Sequence, residues 1–220
     1  MIRRVLIAAI VVAALVVALA AAMLVPILTH RSAGGSGQDV PEGFVAETSA
    51  TGADGRTREL RVETPDGAPA ELAALQPGDE LVGRGSGFDS GIGIYVAICV
   101  VPSLPDERPS PCLGGVPDAA IADATEGSAV GGESPAEAQP SVWITDDWAW
   151  RNFATQGWDD AATGSFTARL LIPEPAQGGL DCRVALCAVT TRADHTALAD
   201  RVQDMQLPVA FARQPGDPPL

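Results

Sequence analysis

The chain contains no lysine. All 14 of its basic residues are arginine, set against 28 aspartates and glutamates in 220 residues. Aromatic side chains are also few: one tyrosine, five phenylalanines and four tryptophans. A core must therefore rest mostly on Val, Leu, Ile and Ala. There are two histidines, His30 and His195. His30 stands beside an apolar N-terminal run, so His195 has no second histidine with which to share a metal or a proton relay. No Gly-x-Ser-x-Gly elbow occurs, since Ser86 in Gly83-Arg-Gly-Ser-Gly87 lacks that spacing. The four cysteines form no CxxC pair, which argues against a structural zinc site. No cysteine follows the apolar run at its end, which excludes a lipoprotein anchor. The bias to Arg, Ala, Gly, Pro and Asp is that of a GC-rich bacterial genome.

The apolar run covers residues 5–28 without a charge, preceded by Arg3 and Arg4. A spanning helix needs ~20 apolar residues, whereas a secretory h-region has ~7–15. The run therefore predicts an uncleaved signal anchor, with residues 1–4 cytoplasmic and everything after Thr29 outside the membrane. Ala18-Leu-Ala20 offers the alternative of a cleavage site. Residues 29–41 are Gly/Ser-rich and predict a flexible linker. With Arg3 and Arg4 set aside, 12 arginines face 28 carboxylates, a net charge of −16. Such a surface repels phosphate backbones, so nucleic acid is not an expected partner. The expected partner is the membrane itself, through the N-terminal helix.

Residues 42–213 read as one all-β domain. Apolar runs at Phe44–Ala46, Leu60–Val62, Glu80–Val82, Ile92–Val101, Ser141–Trp150, Gly164–Ile172, Val184–Thr191 and Leu207–Phe211 are separated by turn signals such as Thr64-Pro-Asp-Gly67. Seven to nine short strands without an amphipathic helix predict a β-sandwich. In Ile92–Val101 both alternating sets are apolar, which predicts a central strand covered on both faces. Residues 115–140 read as a surface insertion and 214–220 as a disordered tail. In an exported domain the cysteines are expected to form disulfides. Four allow three pairings. Cys99–Cys112 and Cys182–Cys187 each close a short loop inside one supersecondary unit.

Several of these features together resemble the neocarzinostatin family, immunoglobulin-like apoproteins of actinobacteria that hold an enediyne chromophore. They are Gly85-Ser-Gly-Phe88 before a strand ending in Cys99, the proline-rich loop to Cys112, Asp181-Cys182 with Cys187-Ala-Val189, and the closing Leu207-Pro-Val-Ala-Phe211. The resemblance implies an immunoglobulin-like sandwich. Its ligand cleft would fall at Val101, where the chromoproteins carry an aromatic residue, and at Ala188, where they carry glutamine.

All four tryptophans lie within residues 143–158. Trp143, Asp146, Trp148 and Trp150, with Tyr95, Val101 and Ala188, are the candidate wall of a pocket for a small hydrophobic or aromatic ligand. The competing expectation is that the tryptophans cap the sandwich and Asp146-Asp147 form the tip of a turn. Residues 191–204 are dense in polar groups. A hydrolase using His195 with Asp194 or Asp200 is one reading; a loop held by Arg–Asp pairs and short side-chain-to-backbone bonds is the other. Tyr95 with His195 as helper would be the ligand pair of an exported haem-binding protein. The sequence thus predicts a membrane-anchored, non-enzymatic binding or cell-surface interaction module, with no catalytic residues, metal or resident cofactor.

Overall fold

The protein is described by a computed structural model covering residues 2–104, 106–115 and 138–212. Most of the expected insertion and the whole expected tail lie outside the described residues. The chain divides into two compact units, Met1–Arg31 and Ser32–Leu220.

The first unit is one helix, α1 (Ile2–Thr29), of 28 residues and with no buried side chain. At 1.5 Å per residue it is about 42 Å long, enough to cross a bilayer. Pro26 lies inside its last turns, and His30 N–H donates to the Pro26 carbonyl (2.9 Å).

Among the described residues the second unit has ten strands. They are β1 (Glu47–Thr51), β2 (Thr57–Glu63), β3 (Glu80–Ser86), β4 (Ile94–Val100), β5 (Ser141–Ile144), β6 (Phe166–Leu171), β7 (Ala176–Gln177), β8 (Leu180–Asp181), β9 (Cys187–Ala193) and β10 (Met205–Val209). They form antiparallel sheets ordered β1-β2-β3-β6 and β10-β9-β4-β5, with β7-β8 as a small separate hairpin. One apolar core joins the two large sheets. From the first it takes Leu60, Val62, Leu81, Phe166, Ala168 and Leu170; from the second Ile94, Val96, Ile98, Val142, Val189 and Leu207. Each such side chain contributes roughly 1.5–3 kcal/mol when fully buried. Gly85 of β3 is a packing requirement, because a Cβ there would stand 2.2 Å from the Phe166 ring and 2.8 Å from Phe88.

β4 is covered on both faces, as its two apolar sets predict. Ile94, Val96 and Ile98 enter the main core, while Tyr95, Ala97 and Cys99 join a second cluster with Trp143 and Ala154 on the outer face. Both local disulfides are present, Cys99–Cys112 and Cys182–Cys187.

Three expectations shift. The first strand is the polar Glu47–Thr51, and Phe44 and Val45 before it are exposed. β9 starts only at Cys187, because Val184–Leu186 form the turn across the disulfide. The Gly/Ser-rich stretch expected as a free linker is held against the domain from Ser32 onward. Gly35 bridges Arg201, and the Gln38 side chain pairs with the backbone of Gln206 in both directions: Nε2–H to O and N–H to Oε1, each 2.7 Å. This satisfies the outward-facing groups of an edge strand with a side-chain amide.

Candidate functional site on the outer face of the second sheet

The register of β5, β4 and β9 sets Trp143, Tyr95 and Arg192 side by side. Strand alternation turns all three away from the main core. The Tyr95 and Trp143 rings lie 5.8 Å apart, and the Arg192 guanidinium stands 5.8 Å over Tyr95. Just past β9 the backbone of Asp194 donates to Gly93 O (2.8 Å). The Asp194 carboxylate then accepts from three donors: Trp143 Nε1 (2.9 Å), Thr196 N (2.8 Å) and Thr196 Oγ1 (2.6 Å). It thereby caps the 3-10 turn His195–Ala197. Gly93 makes room for it, since a Cβ there would meet Asp194 Oδ2 at 2.0 Å. That turn places His195 edge-on to Trp143 (5.1 Å) and Trp150 (4.6 Å), with Nδ1 2.9 Å from the Tyr95 hydroxyl.

The neighbouring part of the face is polar and closed. Arg192 Nη1 donates to Pro109 O (2.8 Å) and Arg108 Nη2 to Ala193 O (3.2 Å), so two arginines tie the proline-rich loop onto the sheet. Arg201 pairs with Asp204 at 3.0 Å, both largely buried, and Asp200 Oδ1 accepts from Val202 N. Burial outweighs that ion pair: it pushes the Asp204 carboxyl up to about 7, against the pull of Arg201. The Arg201 guanidinium is itself lowered by burial. Asp204 Oδ1 and Gln206 Oε1 are buried acceptors without a donor among the described residues.

The seven residues expected to line one pocket do not meet. Tyr95, Trp143 and Trp150 come together, joined by His195. Trp148 points to solvent, and Asp146, also exposed, pairs with Arg151 (3.7 Å). Val101 lies six residues from Tyr95, about 20 Å along an extended chain. It is half-buried and bonded to Leu186 O. Ala188, opposite Cys99, is fully buried. The tryptophans thus divide: Trp143 and Trp158 are buried, and Trp148 is displayed. Arg192, inside the polar segment 191–204, joins this face by alternation along β9 opposite Tyr95, whereas Arg108 and Gln38 carry no local signal in the sequence.

The polar segment after β9 is a structured loop held by the Arg201–Asp204 pair and by short side-chain-to-backbone bonds. Asp194 does not orient His195, because its oxygens serve Trp143 and Thr196. Tyr95 and His195 do form the pair that a haem reading requires, but Tyr95 is buried beneath Trp143 and Arg192. All four cysteines are bridged, and no group of three His, Cys, Asp or Glu among the described residues is placed to hold a metal. A groove of about 610 Å³ lies elsewhere, on the outer face of the first sheet beside Glu59, Arg61 and Arg84. Its arginines are already paired, with Glu63 at 3.4 and 2.9 Å. Comparison with protein-family models, with characterised proteins and with solved structures returns no match.

Proposed function

We propose that the protein is a membrane-anchored, non-enzymatic, extracytoplasmic β-sandwich of immunoglobulin-like topology that works as a cell-surface interaction module. The sandwich reading is supported by the strand orders and by the single core between the sheets. The placement outside the cell is supported by α1 and by two disulfides in one domain. The kinship with neocarzinostatin-type apoproteins remains part of this proposal and concerns the scaffold.

One observation carries the choice of interaction over small-molecule binding. The outer face of the second sheet, where a ligand was expected, is filled by the chain itself: Tyr95, Arg192, Thr190 and Ala188 are all buried. Apolar side chains are instead displayed on the disulfide-bound loops at the far end of β4 and β9, where Leu104, Val184 and Leu186 are exposed. A rigid loop presents such groups at low ordering cost.

Titrating haem and polyaromatic compounds against the protein should leave the tryptophan emission without a saturable change. A saturable shift would restore the small-molecule reading. In intact cells, a photoreactive residue at Leu186 should give one discrete protein adduct that a probe at Glu59 does not. Identical patterns from both positions would remove this end of the domain as the contact surface. Turnover in a hydrolase panel that vanishes in His195→Ala would overturn the non-enzymatic reading.

A further inference from the structure

Trp148 and Phe153 are 63 % and 74 % exposed, although every other tryptophan is buried or half-buried. They are not on a loose loop. Trp150 N and Arg151 N donate to Asp147 O (3.0 and 2.8 Å), and Phe153 N and Ala154 N donate to Trp150 O (2.9 and 3.2 Å). Trp150 fixes the turn against His195. The carboxylates of the turn are engaged within it: Asp147 Oδ1 accepts from Ala149 N (2.8 Å), and Asp146 pairs with Arg151. The turn therefore holds out two aromatic rings on a fixed backbone.

This end of the domain is also where the chain joins it. Ser32 Oγ accepts from Arg201 N (3.2 Å), Gly35 bridges Arg201, and Arg201 Nη2 donates to Leu198 O (2.5 Å). Leu198, 53 % exposed, follows the same 3-10 turn that brings His195 to Trp150. Only His30 and Arg31 separate Thr29, the last residue of α1, from Ser32. Three Cα steps cover about 11 Å at most. The point where the chain enters the domain is thus no more than about 11 Å of chain from the end of α1.

We propose that Trp148 and Phe153, with Leu198, dip into the lipid interface of the membrane that anchors the chain. Tryptophan favours that layer because its ring is apolar and its N–H remains hydrated. Phenylalanine and leucine gain from leaving water. The occupant is a lipid surface rather than a protein. The inference rests on α1 being an uncleaved anchor.

The test uses the full chain in phosphatidylcholine vesicles that carry a nitroxide lipid, either near the headgroup or near the acyl end. α1 contains no tryptophan, so all emission comes from the domain. The headgroup-proximal nitroxide should quench emission more than the deep one. Trp148→Ala should lose more than about half of that quenching with an unchanged far-UV circular dichroism spectrum and denaturation midpoint. No quenching in a full-length chain that floats with the vesicles, or equal quenching in Trp148→Ala, overturns the proposal and leaves the anchor reading standing. A cellular protein whose mature N-terminus follows Ala20, or a full chain that does not float, overturns both.

Discussion

Asp194 shows how much one buried side chain can organise. It serves the indole N–H of Trp143, caps the turn that carries His195, and occupies the space that a side chain on Gly93 would take. Asp194→Ala leaves a buried indole donor unmet and uncaps the turn, a loss of about 3 kcal/mol. Gly93→Ala forces the carboxylate away and should cost about 2 kcal/mol. Chemical denaturation followed by near-UV circular dichroism measures both. Asp204 makes a different prediction. Its folded carboxyl titrates near 7, against an ordinary value of 3.8, so the folded chain binds the extra proton between those values. The stabilisation is complete below about pH 4 and is lost as pH rises through 7. Asp181, held down to about 2 by Arg183, acts in the opposite sense and loses its contribution below the usual carboxylate range. Denaturation midpoints should therefore rise as pH falls from 7 to 4, and Asp204→Asn should flatten that rise.

Among the elements, the two bridged loops differ in what their disulfides can do. Cys99–Cys112 closes a loop holding Pro102, Pro105, Pro109 and Pro111. Proline already restricts the unfolded loop, so removing this bridge as Cys99→Ser with Cys112→Ser should cost less than the ~3 kcal/mol of a flexible loop near this length. The shorter Cys182–Cys187 bridge should cost less again. Non-reducing peptide mapping should return these two pairs, and a Cys99–Cys187 link would break the scheme. The interior strands were legible because their patterns are strong: β6 carries its apolar residues with period two, and β4 is apolar at every position. β1 was not, because Glu47–Thr51 has no apolar face of its own. It pairs through its backbone with β2, and Thr51 Oγ1 meets Thr57 Oγ1 at 2.9 Å. The apolar pair Phe44-Val45 next to it gave the stronger but misleading signal. At the site, the cluster of tryptophans was visible, but not which of them turn inward. That depends on the register of β5 against β4, a long-range pairing that local sequence does not encode.

For the molecule as a whole, Gln38 has a consequence for how the domain can be cut from its helix. Composition places a safe boundary near Pro41, after the Gly/Ser-rich stretch. Such a fragment would lack the amide that completes Gln206 at the edge of β10. An uncovered strand edge recruits another strand, and the nearest source at high concentration is a second copy of the same chain. A fragment starting at Ser32 should stay monomeric in sedimentation analysis. One starting at Glu42, or Gln38→Ala in the longer fragment, should self-associate with increasing concentration. A stretch that resembles a spacer therefore acts as the guard of an edge, and a fragment of this domain should need Gln38 to stay monomeric.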